Sequence, residues 1–371
     1  QKLKLIRMKI SEIIDAIETI APLALQESYD NAGIQVGDKS VEASSALLCL
    51  DVTEEVIDEA ISIGANLIIA HHPLLFKGIK SITGSNYIER ILIKAIQNNI
   101  VIYASHTNMD NAYNGVNYKI AKIIGLDSLQ ILDPLQGRLL KLATYVPKKF
   151  TESVRNALFN AGAGYIGNYD NCSYTIKGEG TFRAGENAHP FCGEIGQMHK
   201  EEEAKIEVIF PDYKKVSVIK ALLAIHPYEE PAFDILPLNN SWNHAGSGII
   251  GNLSTETDAI DFLKDVKSKF QVKSIKHSSI LDKKIKRVAL CGGAGSFLIP
   301  KAISLGADIF LTGEIKYHDY FGNNDRIILA ELGHYESEQY TKDIFCDIIT
   351  KKFPTFAVHY TKVETNPINY L

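Results

Sequence analysis

One short pattern occurs twice in the chain, and this repeat constrains the fold more than any other feature. Residues 60–66 (Ala-Ile-Ser-Ile-Gly-Ala-Asn) precede an apolar run, and residues 302–308 (Ala-Ile-Ser-Leu-Gly-Ala-Asp) precede another. Each copy follows a predicted strand and a predicted helix. Apolar strands that alternate with helices are typical of a parallel sheet buried on both faces. We therefore predict a duplicated parallel-sheet α/β core, with a cleft where strand ends from the two halves meet.

The segment between the two copies has a different pattern. From about Arg138 to Leu238, the predicted elements follow the order βαββαβ, which is the order of a ferredoxin-like α+β unit. We predict a core domain in two halves, residues 8–135 and 241–371, interrupted by an inserted domain at 136–240. Met8 is the expected native start, so residues 1–7 would form a tail. In the insertion, His226 with Glu229 and Glu230 is either a ligand site or a loop that positions the last strand.

Polar side chains follow three of the predicted core strands, at the point where each strand ends. His71 and His72 come directly after the apolar run 67–70, and Asp110 lies shortly after strand 100–104. His334 and Glu338 follow strand 326–330, and their spacing of four residues places them on one helical face. Because the carboxyl ends of parallel strands meet at one edge of a sheet, we expect these five side chains to converge.

Three imidazoles and two carboxylates without a thiolate suit zinc, iron(II) or manganese. A single catalytic ion usually takes three protein ligands, whereas five fit two ions about 3.5–4 Å apart. Glu338 is then the natural bridge, because a carboxylate has two oxygens. Any one of these residues, taken singly, could have a purely structural role. The pair His334 and Glu338, taken without the others, could be a surface ion pair. Taken together, the five predict two divalent metal ions per chain.

Other polar groups lie near the expected cleft. His106, Glu314 and His318 are candidate catalytic residues, either orienting a ligand or transferring protons. The glycine-rich segment 291–296 follows a strand and either cradles a phosphate or forms a tight turn, and it lacks the full G-x-G-x-x-G spacing. The cysteines are scattered without metal-type spacing, so we predict that none is functional. They are Cys49, Cys172, Cys192, Cys291 and Cys346.

Composition excludes several classes of partner. The formal net charge is −5 and no basic tract stands out, so duplex nucleic acid is not an expected partner. No apolar stretch approaches the roughly 20 residues that cross a bilayer, and the first residues make a poor signal peptide. An odd set of unclustered cysteines fits a reducing compartment, so we expect a cytoplasmic protein without a membrane partner.

Several ordered motifs resemble the dinuclear-metal-centre hexameric protein family, often labelled GTP cyclohydrolase 1 type 2. The matching segments are 29–33, 71–78, 105–110, 312–318 and 333–338. The family usually has tryptophan where Tyr29 stands, which exchanges one aromatic residue for another. The resemblance implies that two ions are held by residues matching His71, His72, Asp110, His334 and Glu338.

The resemblance also implies a function and an assembly. It points to a metal-dependent hydrolase that opens the imidazole ring of GTP with metal-activated water, and the GTP substrate comes from the resemblance alone. The inserted segment resembles the PII/CutA-like domain of longer members, and the assembly would be a homohexameric toroid. The alternative is a non-enzymatic assembly, a metal-binding regulatory or chaperone-like protein that senses a small ligand or partner.

Overall fold

The computed structural model describes residues 8–323 and 325–371. The predicted tail, residues 1–7, lies outside the described residues. The described chain packs as two compact units. One unit combines residues 8–133 with 244–371, and the other consists of residues 134–243.

The first part of the chain alternates strands and helices. Its elements are α1 (Ile10–Ile20), β1 (Gly33–Val36), β2 (Ala46–Cys49), α2 (Glu54–Ile63), β3 (Leu67–Ala70), α3 (Tyr87–Gln97), β4 (Val101–Ala104), α4 (Thr107–Asn111), α5 (Val116–Ile124) and β5 (Asp127–Leu135). A 3₁₀ turn spans Leu23–Leu25. All residues of β2, β3 and β4 are buried, as expected for strands covered on both faces.

The unit formed by residues 134–243 has its own sheet and its own hydrophobic core. Its elements are β6 (Leu139–Pro147), α6 (Thr151–Asn160), β7 (Tyr174–Arg183), β8 (Met198–Pro211), α7 (Lys215–Ile225) and β9 (Phe233–Leu238). The sheet order is β7-β8-β6-β9, and all neighbouring strands are antiparallel. The element order is βαββαβ, that of a ferredoxin-like unit. We call residues 134–243 the inserted unit.

His226 has a structural role in the inserted unit. Its Nε2 contacts the carbonyl oxygen of Tyr145 at 2.9 Å, and its Nδ1 accepts a hydrogen bond from the backbone N–H of Tyr228 at 3.1 Å. Both ring nitrogens are therefore engaged with the backbone. Of the two alternatives for this segment, the contacts of His226 match the loop that positions the last strand.

The last part of the chain returns to the first pattern. Its elements are β10 (Trp242–Thr257), α8 (Ala259–Lys269), β11 (Lys276–His277), β12 (Ile285–Cys291), α9 (Ile299–Ser304), β13 (Ile309–Thr312), β14 (Ile328–Glu331), α10 (His334–Glu338), α11 (Thr341–Lys352) and β15 (Val358–Tyr360). We predict one helix from the His334 motif to about Phe353, and the structure divides this stretch into α10 and α11.

The two sheets of the larger unit share one strand order. The first is β1-β4-β3-β2-β15, and the second is β11-β14-β13-β12-β10-β5. In each, three adjacent strands run parallel and an antiparallel strand, β1 or β11, flanks them at one edge. At the other edge the sheets differ, because β15 is parallel to β2 whereas β10 is antiparallel to β12. This shared arrangement agrees with a duplication of the α/β unit, as the sequence repeat predicts.

Helices connect the two sheets within the larger unit. α11 packs against β2 of the first sheet and against α5, and α5 packs against β12 of the second sheet. The segments that follow β3, β4 and β14 belong to this same unit, and these are the segments that carry the predicted ligands. Among the described residues, no helix combines the length and apolarity required to span a bilayer.

Candidate metal centre

His71 and His72 leave the carboxyl end of β3 in fixed orientations. The backbone N–H of His72 donates to the carbonyl of Leu50 at 2.9 Å, which ties the turn to the neighbouring strand. The His71 side chain is fully buried, and its Nδ1 contacts the carbonyl oxygen of Ser105 at 2.9 Å. Because a carbonyl only accepts, the proton of His71 lies on Nδ1, and Nε2 is left with a lone pair.

Asp110 lies on α4, the short helix that follows β4. Its Oδ1 is 3.6 Å from His71 Nε2. Both atoms are buried, and neither has a hydrogen-bond partner. Buried polar atoms are almost always paired, so two unpaired acceptors that face each other indicate a place for a cation.

α10 supplies the remaining two predicted ligands. Their four-residue spacing places His334 Nε2 3.2 Å from Glu338 Oε2. The same oxygen is 3.0 Å from His72 Nε2, and the other oxygen, Oε1, is 3.7 Å from His71 Nε2. One buried carboxylate therefore contacts imidazoles from both parts of the chain.

The five predicted ligands form two groups that share Glu338. One group is His71, Asp110 and Glu338, the other is His72, His334 and Glu338, and the candidate ligand atoms in each lie within 4.8 Å of one another. In the second group the three pairwise distances are 3.0, 3.2 and 3.3 Å. Metal–nitrogen bonds of about 2.0–2.1 Å at tetrahedral angles separate two ligand atoms by roughly 3.3 Å. The donor set and its spacing fit a zinc-like ion in this group. In the first group the ligand atoms are slightly farther apart, since His71 Nε2 lies 3.6 Å from Asp110 Oδ1 and 3.7 Å from Glu338 Oε1.

Carboxylates orient the two histidines of the second group. His72 Nδ1 donates to Asp51 Oδ1 at 2.7 Å, and His334 Nδ1 donates to Glu314 Oε1 at 2.8 Å. Such partners fix the tautomer and the ring orientation of a metal-binding histidine. Glu314 therefore contacts a candidate ligand, as its predicted orienting role requires. Asp51 is absent from the predicted set, although it follows β2 at the sheet edge where the other ligands were found.

His106 lies beside the two groups. The centroid of its ring is 5.3 Å from that of His71 and 5.3 Å from that of His72. Its Nδ1 donates to Asp30 Oδ1 at 2.8 Å, and the backbone and hydroxyl of Thr107 donate to the other oxygen of Asp30. Burial alone would raise the pKa of Asp30, but these hydrogen bonds lower it to about 2. Asp30 is therefore a fixed anion that orients the His106 ring, a role that the sequence analysis does not assign.

His318, the remaining predicted catalytic residue, does not belong to either ligand group. It lies in the 3₁₀ turn Tyr317–Tyr320, and its side chain is exposed. Its ring contacts Tyr317 and Phe321. Within the described chain, the sets of potential ligands at this centre do not include it.

The electrostatics of the centre favour positive charge beside Glu338. Burial raises the pKa of Asp110, and the neighbouring Glu338 carboxylate raises it further. Burial opposes ionisation of Glu338 as well, but His71, His334 and His72 keep its pKa well below the usual range. Burial opposes a charge on His72, yet hydrogen bonds with Asp51 and Glu338 raise its pKa to about 10. Positive charge is therefore stabilised where the ligand atoms converge.

The glycine-rich segment after β12 supports Glu338 directly. Gly293 has a φ of +60°, and a Cβ at this position would lie 2.3 Å from Glu338 Oε1. The backbone N–H groups of Gly292, Gly293 and Gly295 donate to side-chain oxygens of Asn117, Ser337 and Thr312. With these donors engaged, the segment forms a tight turn that packs against the Glu338 carboxylate, and the phosphate-cradle alternative does not fit.

Fold and site together agree with a family of known proteins. The family model described as Duf34/NIF3 (NGG1p interacting factor 3) matches residues 8–367. The chain therefore belongs to the Duf34/NIF3 family.

Relatives from other bacteria match nearly the whole chain. A protein from Halalkalibacterium halodurans named "GTP cyclohydrolase 1 type 2 homolog" is 37% identical over 98% of this chain and 100% of its own length. A Bacillus subtilis protein of the same name is 35% identical over 97% of this chain and 98% of its own length. The crystal structure of a Bacillus cereus protein related to NIF3 superposes with a TM-score of 0.85 at 36% identity, covering 98% and 99% of the two chains. The family predicted from the sequence motifs is confirmed.

Proposed function

We propose that this protein is a dinuclear divalent-metal hydrolase of the GTP cyclohydrolase 1 type 2 kind. The observation that carries the proposal is the Glu338 carboxylate, whose two oxygens face different groups of nitrogen and oxygen donors. A bridging carboxylate between two such groups is the arrangement that two-metal hydrolytic sites require.

The metal ions would supply one part of the chemistry. A bound pair of zinc, iron or manganese ions polarises a substrate oxygen and makes water a stronger nucleophile at neutral pH. Asp51 and Glu314 hold the rings of His72 and His334, so that their Nε2 atoms face the carboxylate. His106, held by the Asp30 anion, is placed to move a proton to or from the substrate. His318 has no role in this proposal.

The proposed substrate is GTP. The relatives' names supply the nucleotide. One water adds at C8 and opens the imidazole ring to a formamide, and a second water hydrolyses that formamide and releases C8 as formate. The exposed Phe76 ring lies edge-on to His106, with ring centroids 5.6 Å apart. An aromatic side chain can stack on a planar heterocycle, and here it lies beside a group that transfers protons. Phe76 and His106 therefore favour a purine as the substrate.

The inserted unit supports a second candidate function. It has a separate core and contains an open cavity of about 800 Å³, lined by residues from Tyr145 to Ala232. A domain with its own cavity suits a ligand-sensing role, as in a PII/CutA-like module of a non-enzymatic regulatory or chaperone-like assembly. In either case we propose a cytoplasmic homohexamer that encloses its metal sites.

Substitution of Glu338 separates the two functions. We expect Glu338→Gln to lose bound metal and formate release from GTP together, whereas the wild-type protein retains both. The matched control is Glu336→Gln, in the same short helix but outside both ligand groups. Metal is measured by elemental analysis, and formate by an enzymatic assay. A metal-loaded wild-type protein that releases no formate would overturn the hydrolase and leave the binding role.

A further inference from the structure

We propose that the inserted unit contains a separate metal site, formed by Cys192, His199 and Glu201. The site would bind a divalent metal ion that accepts a thiolate as one of its ligands, such as zinc. This site shares no residue with the dinuclear centre and does not depend on the proposed hydrolase activity.

The three side chains converge from a strand and the loop before it. His199 and Glu201 are two residues apart on β8, so both project from the same face of the strand. His199 Nε2 is 2.9 Å from Glu201 Oε2. Cys192 lies in the loop between β7 and β8, and the three potential ligand atoms lie within 4.8 Å of one another.

The loop that carries Cys192 is seated closely on β8. Gly193 has a φ of +78°, and a Cβ at this position would lie 2.9 Å from His199 Cβ. Glycine therefore permits an approach that any other residue would obstruct. Phe191, the residue before Cys192, packs on Phe150 and on Tyr228, with ring centroids 5.5 and 6.3 Å apart. These contacts hold the thiol over the strand.

The donor set determines the class of ion. One sulfur, one nitrogen and one oxygen suit zinc better than magnesium or calcium, and three protein ligands leave a fourth position for water or another ligand. The side chains of His199 and Glu201 are 26% and 28% exposed, so an ion can reach them from solvent. Phe182, which packs on His199, also lines the 800 Å³ cavity, so the site borders that cavity.

The sequence pattern does not reveal this site. The sequence analysis predicts no functional cysteine, since a Cys-x₆-His-x-Glu spacing is not a known metal motif. The folded loop creates the cluster.

Cobalt(II) binding tests this site without interference from the dinuclear centre. Thiolate coordination to cobalt gives an intense near-ultraviolet charge-transfer absorption, and the dinuclear centre has no thiolate among its ligands. Metal-free full-length protein, reduced with a phosphine, is titrated with cobalt(II). We expect this absorption in the wild-type protein, its loss in Cys192→Ser, and its retention in Cys172→Ser, which removes another thiol of the inserted unit.

Two further measurements complete the test. Zinc added after cobalt should abolish the absorption, because both ions compete for the same ligands. Glu201→Gln should shift the cobalt titration to higher concentration, and circular dichroism checks that each variant is folded. Absence of the absorption in the wild-type protein, or its survival in Cys192→Ser, would overturn the proposal.

Discussion

A single buried carboxylate determines the charge balance of the candidate metal centre. The Glu338 side chain is 3% exposed, and an isolated ionised carboxylate at such a position would be strongly destabilising. Here His72 and His334 compensate for its charge, and both contact the same oxygen, Oε2. The arrangement is stable only when positive charge, from protons or from metal ions, accompanies the carboxylate.

Asp51 is expected to affect metal affinity although it does not lie in either ligand group. Because it fixes the His72 ring through Nδ1, Asp51→Asn should weaken metal binding about 10–100-fold, as loss of such supporting partners commonly does. The matched control is Asp58→Asn, which removes a carboxylate that pairs with Lys94 on the surface. Competition with a fluorescent chelator measures the affinity. Equal affinities in the two variants would contradict the orienting role of Asp51.

Asp30 should make stability depend on pH in the acid range. Its pKa lies at about 2 instead of 3.8, so the folded state favours the ionised form. The stabilisation, on the order of 2 kcal/mol, is complete above the unfolded pKa and is lost as pH falls toward 2. The difference in urea midpoint between wild type and Asp30→Asn should therefore be constant from about pH 7 to 5 and narrow below about pH 4. A difference independent of pH would show that Asp30 is not held as an anion.

Sequence patterns identify the candidate ligands more readily than the residues that orient them. His71, His72 and Asp110 were predicted because polar groups at the ends of buried parallel strands have few structural reasons to be there. Asp51 and Asp30 also follow strands or turns, but acidic residues are common at such places. Their roles depend on which ring nitrogen each one contacts, and this is a three-dimensional property that spacing along the chain does not contain.

At the scale of elements, the turn after β12 should control the position of Glu338. In Gly293→Ala, the new methyl group would displace the carboxylate, so we expect loss of bound metal. Gly306→Ala is the matched control, because Gly306 has a similar φ of +72° but open space around its Cβ position. Both variants should lose about 1–2 kcal/mol of stability through left-handed backbone strain. Only Gly293→Ala should also lose metal, as measured by elemental analysis, and equal metal content in both would contradict this role.

Helix starts show where local sequence determines structure and where it does not. A threonine just before a helical run predicts an N-cap, and Thr53 caps α2 in this way. Its backbone is extended, as a cap requires, and its hydroxyl accepts from the backbone N–H of Val56 at 3.3 Å. The same pattern predicts that Thr151 caps α6, and this prediction is wrong. A 3₁₀ turn over Lys148–Phe150 runs directly into the helix, so Thr151 is already helical and its hydroxyl donates backward to Lys148. The preceding turn, not the capping residue, sets that boundary.

At the scale of the whole molecule, the metal centre joins parts of the chain that the inserted unit separates. His71, His72 and Asp110 precede residues 134–243, and His334 and Glu338 follow them. Bound ions would therefore link the two halves of the larger unit across a long interval of sequence. The sequence repeat predicts the two halves, and the donor set predicts Glu338 as the bridge. Only the folded chain shows that Oε1 of Glu338 faces His71 and that Oε2 contacts His72.

Metal binding should accordingly stabilise the two units unequally. A ligand present at 100 times its dissociation constant stabilises the folded state by about 2.7 kcal/mol, which slows hydrogen exchange through global opening about a hundredfold. In the same zinc buffer, amides of β3, β4 and β14 should exchange more slowly in the wild-type protein than in Glu338→Gln. Amides of β6 and β8 should exchange alike in both proteins, because these strands belong to a separate core. Hydrogen exchange followed by mass spectrometry measures both sets, and an equal change in β8 would show that the two units open together.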